Sequence, residues 1–134
     1  MALYSKRFTV PAGTPESSPQ ETTLVIKQKY IYEMEIGFPD GANWEVGIQI
    51  NYGIKRLWPE NAGEWIWGNN ETIVWREHQY LPETNSVLTI KGIAPNAEFD
   101  HDVVVRVKTL PDWVAVPGIL ISQLVDQIKR LLFG

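Results

Sequence analysis

The chain has 134 residues, 44% of them hydrophobic and 21% charged, with a net charge of −4 and no cysteine. That length makes one domain with a sizeable core, while the mild negative charge lacks the basic face on which phosphate-neutralising nucleic-acid binders depend. Without thiols there are no disulfides, no thiolate metal sites and no cysteine nucleophiles. The stretch from Met1 to Val10 holds neither an apolar run of signal-peptide length nor a small-residue cleavage site. No segment nears the ~20 apolar residues that cross a bilayer. The expectation is a protein made and kept in a cytoplasm.

Residues 3–10 read as a first strand with Phe8 and Val10 inward. From Pro11 to Gln20, Pro11, Pro15 and Pro19 sit among small polar residues, giving a loop or extended arm with little to bury. Thr22 to Lys27 resumes strand character through Leu24, Val25 and Ile26. The clearest pattern lies in residues 30–52. Tyr30, Tyr32, Met34, Ile36 and Phe38 occupy alternate positions, as do Trp44, Val46, Ile48, Ile50 and Tyr52. A period of two puts each set on one face of an extended strand, and Pro39-Asp40-Gly41 between them is turn chemistry.

Gly53 to Pro59 predicts a short strand, followed by turns at Glu60–Gly63 and Gly68–Asn70 around Glu64-Trp65-Ile66-Trp67. Glu71 to Leu81 sets Ile73 and Trp75 against Val74, Arg76 and His78, and Pro82–Asn85 breaks it. In Ser86 to Ile93, Leu88 and Ile90 alternate with Thr89 and Lys91. After the turn at Ala94–Ala97, Asp102 to Leu110 turns Val103, Val105 and Val107 inward and Arg106 and Lys108 outward. About eight strands with regular turn signals predict an all-β antiparallel sandwich, an eight-stranded jelly roll being the natural form.

The final segment changes period. Leu120, Ile121, Leu124, Val125, Ile128, Leu131 and Leu132 share one broad face from 119 to 133, opposite Ser122, Gln123, Asp126, Gln127, Lys129 and Arg130. That is an amphipathic helix, started at Pro117-Gly118 and with its cations at the negative end of the dipole. The expected division is a sandwich over 1–114, including the 11–20 loop or arm, and a helix over 115–134. The helix has three readings: it packs on its own sandwich, docks on a partner, or lies on a membrane. Lys129 and Arg130 against Asp126 are too few charges for a strong interfacial anchor, which disfavours the last.

Trp44 and Trp75 fall in phase with strand alternation and read as core. Trp58, Trp65 and Trp67 cluster around turns. They suit stacking on sugar rings, or else capping one end of the sandwich or a subunit contact. Asp100-His101-Asp102 is the one metal-like cluster, but alternation places the carboxylates on one face and the imidazole on the other, so three ligands do not converge. Glu77-His78 splits likewise, and these two histidine settings support no Ser-His-Asp arrangement. Glu60, Glu64, Glu71 and Glu77 offer carboxylates for a paired-acid site, although acids at turn edges are commonplace. No glycine pattern opens a helix as a phosphate loop requires.

The runs Gly53-Ile-Lys-Arg-Leu-Trp-Pro59, Gly63-Glu-Trp-Ile-Trp-Gly-Asn-Asn-Glu-Thr-Ile73 and His101-Asp-Val-Val-Val-Arg-Val107 resemble those of small β-sandwich, jelly-roll-like structural proteins of phage and virus particles. The resemblance spans residues 20–110 and transfers no functional residue. It implies a place in the virion, as head decoration, minor capsid or fibre component. The expectation is a non-enzymatic structural protein with no cofactor or metal, partnered by copies of itself or by other virion proteins. Its assembly contact is Leu120, Ile121, Leu124, Val125, Ile128, Leu131 and Leu132. The alternative is a carbohydrate-binding sandwich using Trp58, Trp65 and Trp67.

Overall fold

The computed structural model describes residues 2–61, 63–76, 78–82, 85–111 and 127–132. The described residues form ten strands: β1 (Ala2–Val10), β2 (Gln20–Ile26), β3 (Tyr30–Phe38), β4 (Gly47–Tyr52), β5 (Lys55–Trp58), β6 (Ile66–Trp67), β7 (Glu71–Trp75), β8 (Gln79–Tyr80), β9 (Ser86–Ile93) and β10 (His101–Leu110). A short helix, α1, spans 127–132.

Two antiparallel sheets result. The first has the order β1-β10-β3-β7, with β8 also on β3; the second runs β2-β9-β4-β5, with β6 also on β4. The chain swaps sheets at nearly every long strand, so β1, β3, β7 and β10 face β2, β4, β5 and β9. Setting aside the two-residue β6 and β8, this is the strand order of an eight-stranded jelly roll. The expected fold class is the one that forms.

Period-two patterning explains the core. Val10, Met34, Ile36, Ile48, Ile50, Leu88, Ile90, Val103, Val105 and Val107 are all fully buried between the sheets. Gly92 faces the same interior. A Cβ there would sit 2.6 Å from Val10 Cγ2 and 3.2 Å from the Phe8 ring. The missing side chain is what lets β1 close over β9.

Three aromatic positions depart from the pattern. The register of β3 on β10 shifts, Glu33 pairing with Lys108 but Ile31 with Thr109, so Tyr32 is the extra residue of a bulge. Beyond the bulge the faces exchange: Ile31 is buried and Tyr32 only half-buried. Trp44 is not core; it is 62% exposed. It and Asn43 adopt left-handed φ values of 56° and 49°, which ends the extended alternation before β4 begins at Gly47. Trp75 is half-buried, packed on the core from its edge.

The 71–81 stretch divides into β7 and β8, which both pair with β3. Residues 11–19 are a loop fastened to the β9–β10 turn rather than a free arm. Gly13 N donates to Ala94 O at 2.8 Å, Ala94 N to Thr14 O at 3.0 Å, and Ala12 N to Asp100 Oδ1 at 2.8 Å. Leu120, Ile121, Leu124, Val125, the helix start at Pro117-Gly118, the boundary at 114/115 and Glu77 lie outside the described residues.

Candidate functional site

The strand register gathers four loops at one end of the sandwich. Val10 at the end of β1 pairs with His101 at the start of β10, and Phe38 at the end of β3 with Glu71 at the start of β7. Gly47 at the start of β4 pairs with both Ile93 and Trp67, and Gln20 with Gly92. Loops 11–19, 39–46, 68–70 and 94–100 therefore meet. Hydrogen bonds tie them: Asn43 N to Asn69 Oδ1 at 3.0 Å, Trp44 N to Gly68 O and Asn70 N to Pro39 O, both at 3.1 Å.

These loops contain Glu16, Asp40, Glu45, Glu98 and Asp100 and not one lysine or arginine. Between the β3–β4 and β9–β10 loops lies an open cleft of ≈540 Å3, lined by Asp40, Asn43, Glu45, Glu98, Phe99 and His101. Phe99 is 71% exposed. The other acids at this end have structural work. Asp100 accepts from Ala12 N, Glu71 from Asn69 N, Asp102 from the Thr9 hydroxyl, and Glu16 from the Trp65 indole at 3.3 Å. Asp40, Glu45 and Glu98 meet no cation or side-chain hydrogen-bond donor among the described residues. Three unneutralised carboxylates beside an exposed ring make a surface for a partner bearing positive charge and apolar groups.

The Asp100-His101-Asp102 cluster is dispersed accordingly, with His101 in the cleft and both carboxylates engaged elsewhere. The described residues hold no group of three or more His, Cys, Asp or Glu able to hold a metal ion. Glu60 and Glu64 belong to the loop beside β4, where Glu64 O accepts from Gln49 Nε2, while Glu71 opens β7 in the other sheet.

Four of the described tryptophans form two pairs. Trp65 and Trp67 flank β4 at Gly47, where a Cβ would lie 3.0 Å from Trp65 Cβ and 3.1 Å from Trp67 Cη2. Glycine lets both close on the strand. Trp58 is set apart. It stacks on Trp75 with ring centroids 5.7 Å apart and planes at 18°, joining β5 of the second sheet to β7 of the first.

The outer face of the first sheet is closed by charge pairing. Glu33 meets Lys108 at 2.5 Å and Arg76 at 2.8 Å, and Glu35 meets Lys108 at 3.0 Å and Arg106 at 3.6 Å. Hydrogen bonds from Lys108 and then Arg76 hold the Glu33 carboxyl at a pKa of about 2, against an ordinary 4.5, although burial pulls upward. The same contacts raise the pKa of Lys108 and Arg76.

All six residues of α1 are exposed, among them Ile128 at 46%, Leu131 at 86% and Leu132 at 68%. No helix among the described residues is long and apolar enough to cross a membrane. Sequence reasoning singled out the helix and the tryptophans but missed the cleft. Its one linear signal is a set of turns with acids and no bases, and only the topology brings those turns together.

No family model matches the chain, and no curated protein sequence matches it. Among solved structures, it is similar to the capsid asymmetric unit of cyanophage Pam1, with a TM-score of 0.46 and 13% identity over 79% of this chain and 81% of that one. It is also similar to a de novo designed double-stranded β-helix, with a TM-score of 0.37 and 12% identity over 78% and 97% of the two chains. The coat protein of tobacco streak virus gives 0.37 and 8% over 82% and 88%. The chain thus bears a faint likeness to viral capsid proteins and to double-stranded β-helices. Function has to be argued from the chain's own surfaces.

Proposed function

We propose that this chain is a non-enzymatic structural subunit of a viral particle, a capsid decoration, minor capsid or fibre-type component that assembles through its C-terminal helix. The observation that carries the reading is the exposure of Ile128, Leu131 and Leu132 on α1. A jelly roll has already spent its two inner faces on one core, and the outer face of the first sheet is occupied by the ion pairs of Glu33 and Glu35. Aliphatic side chains gain ~25 cal/mol per Å2 only against an apolar receiver, and with all six residues of α1 exposed on its own chain the helix is worth most on a neighbour. The resemblance of residues 20–110 to phage and virus sandwich proteins supports the same assignment. Light scattering and electron microscopy of the purified chain test it. A defined oligomer or regular assembly is expected, and a chain that stays monomeric at high concentration contradicts it.

The carbohydrate-binding alternative rests on Trp65 and Trp67, since Trp58 is engaged with Trp75. Titration with an oligosaccharide panel, read by tryptophan fluorescence, separates the readings. The structural role expects no saturable quenching.

A further inference from the structure

We propose that the acidic cleft at the loop end receives the C-terminal helix of a second copy of this chain, in a head-to-tail contact. The inference rests on the assembly role above and names the surface that completes it.

Helix and cleft are complementary in charge. The helix carries exposed Lys129 and Arg130 on the face opposite exposed Ile128, Leu131 and Leu132, so a helix seated between two loops offers cations on one side and aliphatic side chains on the other. The cleft offers the opposite charge in Asp40, Glu45 and Glu98, with the exposed Phe99 ring as the apolar counterpart. Those three carboxylates are set apart from Glu16, Glu71, Asp100 and Asp102 at the same end, each of which already accepts a hydrogen bond. At ≈540 Å3 the cleft is in the size range that takes a small ligand or a few side chains.

The position of the last strand fits the same contact. β10 begins beside the cleft at His101 and ends at Leu110, opposite Tyr30. His101 and Leu110 stand at the two ends of a ten-residue strand, which at ~3.4 Å per step puts about 30 Å between the cleft and the end of β10. β10 therefore ends remote from the chain's own cleft. A copy stacked end to end presents its cleft there. Such a contact is heterologous, and closes into a ring or continues as a filament.

The test uses the full chain in sedimentation equilibrium. Reversal in the cleft (Glu45→Lys with Glu98→Lys) or in the helix (Lys129→Glu with Arg130→Glu) is expected to weaken association about tenfold. All four substitutions in one chain are expected to restore it, and Thr23→Glu, at an exposed position midway along β2 and away from both ends, to leave it unchanged. Thermal melts establish that each variant is folded. Should the cleft reversal associate like the wild type while deletion of 117–134 abolishes association, the assembly role stands and the helix seats elsewhere, on another helix or another surface. That outcome overturns the cleft. A wild-type chain that never associates overturns both.

Discussion

Glu33 is buried on an outer sheet face with two cations on it, and its environment sets a pH dependence. Its folded pKa of about 2 lies below the ordinary 4.5, so between those values the unfolded state binds a proton that the folded state does not. Stability from this group is complete above about pH 4.5 and lost as pH falls toward 2. The melting temperature of the wild type should therefore fall across that window. Glu33→Gln should start lower at neutral pH and fall less steeply, which thermal melts from pH 2 to 6 check. At Gly92 the issue is space rather than charge. An added Cβ 2.6 Å from Val10 Cγ2 must push β1 outward, so Gly92→Ala should cost about 1–3 kcal/mol by denaturant melt. Neither effect can be read along the chain. Glu33 looks like any outward acid on an alternating strand, and Gly92 like a weak point in a good one.

At the scale of elements, alternation was legible wherever a strand kept its phase: β10, β9 and the second half of β3 have the inward faces that period two assigns. It failed where the backbone changed phase. The bulge at Tyr32 exchanges two side chains between faces because one extra residue shifts all that follow. Two successive left-handed residues do the same to Trp44, whose aromatic character had argued for burial. Trp58 and Trp75 show the reverse. Each looks local, one beside a turn and one in a strand, yet they stack across the two sheets. A double-mutant cycle of Trp58→Ala and Trp75→Ala should give a coupling of about 0.5–1.5 kcal/mol in unfolding free energy. Additive losses would show that the two rings do not support each other.

At the scale of the molecule, the jelly-roll order is what a sequence cannot announce, because it pairs β1 with β10 and β2 with β9 across most of the chain. That order makes a loop end from four separate turns and collects their acids there, while β10 ends at the opposite end. The amphipathic helix was plain in the sequence; its receiver was not, because the cleft exists only after folding. The role proposed for this helix is assembly rather than a place in the core. Deleting residues 117–134 tests it most directly, with the melt and the sedimentation coefficient measured on the same sample. The truncated sandwich should melt cooperatively within a few degrees of the full chain and sediment as a monomer where the full chain does not. A truncated chain that loses its cooperative melt, or one that still associates like the full chain, would contradict it.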